Sequence, residues 1–185
     1  PGSTGAAVWN AALALSTYMD QLGTSAFQGK RVLELGAGCG LGALVAHSLG
    51  ASRAVATDGN ADLLPNALAN LKANALKGGG SFDVKALPWD AGAAKRFEEE
   101  EGNFGWDWIV GSDITYNSAA WSSLGTALKT LTSKSTRILI GMTDRYPGEA
   151  QSSTRVFFEG AGFSWQEVSA LDIGDSVVHV ILMQR

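Results

Sequence analysis

The sequence predicts an α/β fold with a doubly wound, mostly parallel sheet of seven strands. Three observations carry this. Short apolar runs alternate with segments of helical period along the chain. The first apolar run, Arg31-Val32-Leu33-Glu34-Leu35, enters a glycine-rich turn and then a compact helix. The last two runs are joined by residues 170–176, too few for a crossover helix, so they form an antiparallel hairpin. Right-handed crossovers between the parallel strands give a Rossmann-like arrangement.

Residues 8–22 place Val8, Ala12, Leu15, Met19 and Leu22 at helical period, with Asn10 as an expected cap. Residues 23–29 read as a loop. After the first strand, Leu41–Leu49 reads as a helix closed by Gly50, and Arg53–Thr57 as a strand ending at Asp58. Leu63–Leu76 is a helix, broken by Gly78-Gly79-Gly80. Phe82–Trp89 is the third strand. Residues 90–105 read as an irregular, partly helical excursion, with Glu98–Glu101 as a solvated charge run. Trp108–Gly111 is a fourth, buried strand that delivers Ser112-Asp113. Ser118–Leu131 is a helix, Arg137–Met142 a strand and Glu149–Gly160 a helix. Ser164–Ser169 and Val177–Met183 form the closing hairpin. One domain over 1–185 is expected, with 1–22 packing on it as a helical segment.

Composition narrows the function classes. Of 185 residues, 45% are hydrophobic and 17% charged, which is globular rather than disordered. The net charge of −4 gives no electrostatic reason to bind nucleic acid. No run of about 18 apolar residues is present, so no membrane partner is expected. The start lacks the basic region and apolar run of a signal peptide, and Pro1 in place of Met is expected of a trimmed chain or an engineered fragment. The lone Cys39 excludes an internal disulfide framework. It suggests a reducing compartment, the cytoplasm with the nucleus also open. His47 and His179 read as structural, and no Cys/His cluster suggests a metal. The sequence carries no signal for an oligomeric state.

In sheets of this kind ligands sit outside the carboxyl ends of the strands, where strand order reverses. The turn there reads Glu34-Leu35-Gly36-Ala37-Gly38-Cys39-Gly40. The dinucleotide pattern G-x-G-x-x-G fails from Gly36, because Leu41 takes the third glycine position. From Gly38 it survives only as G-x-G-x-x-A, ending at Ala43. What fits is E-x-G-x-G-x-G, similar to the cofactor loop of S-adenosylmethionine-dependent methyltransferases. A carboxylate at Glu34 suits a cationic amino-acid group and would repel a pyrophosphate. Asp58 lies 20 residues after Gly38. There a carboxylate can accept from both ribose hydroxyls, of NAD or of S-adenosylmethionine.

Three further segments are Thr4-Gly5-Ala6-Ala7-Val8-Trp9-Asn10-Ala11-Ala12, Leu87-Pro88-Trp89-Asp90 and Gly111-Ser112-Asp113-Ile114-Thr115-Tyr116. With Val32–Gly38 they resemble the seven-β-strand protein lysine methyltransferases that carry a D-x-x-Y motif. The resemblance implies S-adenosylmethionine as cofactor, S-adenosylhomocysteine as product and a protein substrate. By it, Trp9 helps close over the cofactor and Trp89 stacks on the adenine. Ser112 borders the adenine or ribose, while Glu34, Gly36, Gly38, Gly40 and Asp58 complete the cofactor site. Asp113 and Tyr116 are the expected catalytic pair. Asp113 positions the substrate amine, and Tyr116 supplies a ring wall and an orienting hydroxyl.

Two departures from the family pattern are conservative: Cys39 replaces a threonine or serine, and Trp9-Asn10 replaces Trp-Pro. Arg145 stands near a family arginine, at the expected substrate entrance. Substrate selection is expected in residues 90–105, in 143–153 and before Pro1. Rival readings are a small-molecule methyltransferase and a non-catalytic cofactor-binding scaffold. A nicotinamide oxidoreductase fits less well, since the loop lacks its third glycine.

Overall fold

The computed structural model describes residues 4–74, 79–144 and 149–185. Its strands are β1 (Arg31–Leu35), β2 (Arg53–Asp58), β3 (Ser81–Ala86), β4 (Trp108–Ser112), β5 (Arg137–Thr143), β6 (Gln166–Ile173) and β7 (Ser176–Met183). They form one sheet in the order β3-β2-β1-β4-β5-β7-β6. β1 to β5 are mutually parallel, and β7 runs antiparallel to both β5 and β6. Strand order therefore reverses between β1 and β4, which places a crevice above their carboxyl ends.

The helices are α1 (Asn10–Leu22), α2 (Thr24–Phe27), α3 (Leu41–Ser48), α4 (Leu64–Asn74), α5 (Ala91–Glu100), α6 (Trp121–Leu131) and α7 (Glu149–Gly160). Strand alternation splits the core into two layers. Val32 and Val110 point to a cluster with Ala14, Leu15 and Met19 of α1 and Ala43 and Ala46 of α3. Leu33 and Ile109, one step along, point to the opposite cluster. That one holds Phe97 of α5, Leu124 and Leu128 of α6, and Phe158 of α7. No described helix is long and apolar enough to cross a membrane.

Several expectations are corrected. Asn10 is the first helical residue rather than the cap; Trp9 takes the cap position without a side-chain cap bond. Asn10 Nδ2 instead donates to Ile173 O at 3.0 Å, fastening α1 to β6. The expected loop 23–29 contains the short α2. The end of the second helix and Gly78 lie outside the described residues. The excursion 90–105 contains α5, a regular helix capped by Asp90, whose Oδ1 accepts from Ala93 N at 2.8 Å. β3 stops at Ala86, so Trp89 lies three residues beyond its strand.

The acidic run is not uniformly solvated. Glu101 is only 8% exposed and accepts from Arg53 Nη2 at 2.8 Å, Lys85 Nζ at 2.7 Å and Arg31 Nη2 at 3.3 Å. Burial alone would raise its pKa. The Arg53 and Lys85 bonds outweigh that and hold it down at about 2. Glu98 accepts from the Trp106 indole, and burial raises its pKa. These cations come from the starts of β1 and β2 and from β3.

Candidate active site

The carboxyl ends of β1, β2 and β4 and the segment after β3 enclose a cavity of about 510 Å³. Gly36 lines it after β1, and Asp58, Gly59, Asn60 and Leu63 at and after β2. Pro88 and Trp89 follow β3, while Ser112, Asp113, Ile114 and Tyr116 come from β4 and its exit loop. Gly5 and Trp9, from the segment before α1, complete the wall. The fold thus brings together seven of the ten expected site residues: Trp9, Gly36, Asp58, Trp89, Ser112, Asp113 and Tyr116.

Gly36 and Gly38 show why this turn is glycine-rich. Both have positive φ, 62° and 51°. A Cβ on Gly36 would stand 2.7 Å from Ile114 Cγ2 and 3.4 Å from Trp89 Cζ2. On Gly38 it would meet Gly5 O at 2.8 Å. Bare backbone therefore shapes the cavity beside Trp89 and lets the N-terminal segment cross the loop.

Gly38 and Gly40 are not among the residues that line the cavity. Gly40 is the left-handed residue before α3, with φ 80°. Gly38 acts through its N–H, which Asp58 Oδ2 accepts at 3.0 Å. Asp58 Oδ1 accepts from Asn60 N at 2.8 Å. A carboxylate offers about four acceptor positions, so these two bonds orient Asp58 without exhausting it.

Glu34 lies beneath the turn, in the core. It is 3% exposed and does not line the cavity. Its Oε1 accepts from Gly42 N and its Oε2 from Ala43 N, both at 2.9 Å. The carboxyl thus takes up two of the N–H groups that begin α3. It serves the helix end. Burial pushes its pKa up to about 7, against the two backbone donors that pull it down.

Asp113 sits in the left-handed region at φ 50°, unusual for a non-glycine residue. Its N–H donates to Gly141 O at 2.8 Å. Its Oδ1 accepts from Thr143 N and its Oδ2 from Thr143 Oγ1, both at 2.9 Å. Asn117 Oδ1 accepts from Ala119 N at 3.1 Å and caps the 3-10 turn Ser118–Ala120 that leads into α6. Tyr116 is 64% exposed, so its ring stands at the cavity rim. Trp121 Nε1 donates to Thr115 O at 2.8 Å and steadies that loop.

The remaining aromatic and thiol groups sort themselves by contact. Trp89 is partly buried, and among the described residues its buried Nε1 has no hydrogen-bond partner. Trp9 is about half exposed. Trp106 and Trp108 are buried in packing. Cys39 Sγ lies 3.6 Å from Gly5 O and 3.8 Å from Asn66 Nδ2, turned toward the N-terminal segment and α4. Arg145 lies outside the described residues. Gly5, Gly59, Asn60, Leu63, Pro88 and Ile114 were not singled out from sequence. Their signal was position, since each follows a strand end or sits within a quoted segment.

The family described as lysine methyltransferase matches residues 1–161. The chain is 30% identical over 152 residues to "Protein N-terminal and lysine N-methyltransferase EFM7" of Yarrowia lipolytica, covering 74% of this chain and 55% of that protein. It is 33% identical over 164 residues to "Protein N-lysine methyltransferase METTL21A" of Danio rerio, covering 88% of this chain and 70% of that one. The chain thus spans about half the length of the fungal relative. Among solved structures, the magnesium protoporphyrin IX methyltransferase of Synechocystis with bound SAH shares the fold. Its TM-score is 0.70 at 13% identity, over 94% of this chain and 83% of that one.

Proposed function

The chain belongs to the lysine methyltransferase family, and from that premise we propose that it transfers methyl groups from S-adenosylmethionine to a lysine of a protein substrate. The observation that carries this is the shared cavity, which exposes Asp58 and Asp113 to one ligand-sized space at the strand-order reversal.

The residues fit such a cofactor. The Gly36 cradle, free of any Cβ, lies beside the Trp89 ring and admits a flat group. The Asp58 carboxylate is oriented by Gly38 and Asn60 and retains acceptor capacity for ribose hydroxyls. Trp9 lines the cavity from the N-terminal side. When bound, S-adenosylmethionine supplies a methyl group on a positively charged sulfur, open to displacement by a nitrogen lone pair.

Asp113 and Tyr116 serve the acceptor. A free lysine ammonium has a pKa of about 10.4, so presenting it neutral near pH 7.4 costs roughly 4 kcal/mol. Asp113 contributes by holding the amine at the cavity, since orientation is the main advantage an enzyme offers a displacement. The Tyr116 ring, at the rim, walls the entry of the aliphatic lysine chain. The acidic net charge and the unpaired thiol support a protein substrate over nucleic acid, and a cytoplasmic setting.

Incubation with tritiated S-adenosylmethionine and a cell extract tests the reading. Label should enter protein, and Asp113→Ala should abolish it. Label confined to small soluble molecules would transfer the function to a metabolite methyltransferase. Cofactor binding by calorimetry with no label in either fraction would make the chain a binding scaffold.

A further inference from the structure

We propose that Thr143, the last residue of β5, is a positioning residue that sets the orientation of the Asp113 carboxylate. This rests on the reading of Asp113 as the group that holds the acceptor amine.

The torsion that turns an aspartate carboxylate is broad and roughly two-fold, so one hydrogen bond leaves its plane loosely defined. Thr143 makes two, one to each oxygen: its N–H to Oδ1 and its hydroxyl to Oδ2, both at 2.9 Å. Two donors on one residue, aimed at the two oxygens of one carboxylate, fix that plane. The clamp is itself fixed. Thr143 pairs with Val178 of β7, and the next residue, Asp144, donates its N–H to Val177 O at 2.9 Å. The Asp113 N–H is tied to Gly141 O of the same strand. Backbone and side chain of Asp113 are therefore both tied to residues 141–143, with its φ at 50°.

The hydroxyl is the testable part. Valine keeps the β-branched shape a strand favours and removes only the donor to Oδ2. Serine keeps the donor. Wild type, Thr143→Val and Thr143→Ser are crystallised with S-adenosylhomocysteine. Turnover is read as S-adenosylhomocysteine released from S-adenosylmethionine in the presence of cell-extract protein, with melting temperature as a folding check. In Thr143→Val the Asp113 carboxylate is expected turned or in two orientations. Apparent kcat should fall about tenfold while the cofactor KM stays within about twofold. Thr143→Ser should restore the single orientation and most of the turnover.

An unmoved carboxylate in Thr143→Val overturns the proposal, as does a turned one with unchanged kcat. So does a matching loss in both variants with lowered melting temperatures. A wild type that releases no product, while its carboxylate turns only in the valine variant, supports the clamp and defeats the methyl-transfer reading.

Discussion

Gly38 donates its backbone N–H to Asp58 Oδ2 at 3.0 Å, so the turn after β1 is held by the same carboxylate that lines the cavity. Loop shape and ligand recognition thus depend on one side chain. Asp58→Ala should weaken S-adenosylmethionine binding by roughly ten- to a hundredfold, the range expected for losing hydrogen bonds to a charged group. Asp58→Asn should weaken it less, since the amide retains one acceptor oxygen. Titration calorimetry reads both.

The buried Glu34 makes stability depend on pH in a defined direction. Its folded pKa of about 7 lies above the ordinary 4.5. Between those values the folded state holds a proton that the unfolded state has released, so this group's contribution falls as pH rises. The difference amounts to about 3 kcal/mol at most. Urea unfolding at pH 5 and pH 8 should show a smaller drop in Glu34→Gln than in wild type. The variant should also be less stable at pH 5, because its amide N–H₂ opposes one of the Gly42 and Ala43 N–H groups.

Glu101 acts in the opposite sense. Its folded pKa of about 2 lies below 4.5. The stability it contributes is present above 4.5 and is lost as pH falls toward 2. Glu101→Gln should lower the melting temperature at pH 7 and flatten the acid side of the profile. Removing the anion leaves Arg31, Arg53 and Lys85 facing one another.

Cys39 offers a chemical probe. Its sulfur touches Gly5 O and the Asn66 amide, and Gly5 lines the cavity. Alkylation with iodoacetamide should push the N-terminal segment off the loop and lower cofactor affinity about tenfold or more. Cys39→Ser should bind normally and resist that loss, since a hydroxyl fits where the thiol sits.

Much of this was legible in the sequence, for identifiable reasons. The bounds of β1 and the arrival of Asp58 at the end of β2 follow from short apolar runs meeting a turn. The hairpin follows from a connection too short for a helix. The partners of Glu34, the N–H groups of Gly42 and Ala43, are set by how α3 docks on β1. Spacing alone does not reveal that. Glu101 looked solvated because its cations arrive from 70, 48 and 16 residues away. Thr143 was invisible for the same reason: it reaches Asp113 from 30 residues on, across the β4–β5 pair.

The most direct test is mass spectrometry of cell-extract protein treated with the enzyme and trideuteromethyl-labelled S-adenosylmethionine. The expected result is label on the ε-nitrogen of lysine in a protein, absent when Asp113→Ala replaces wild type. Label on other side chains or on small molecules, or lysine label that persists with Asp113→Ala, would contradict the account.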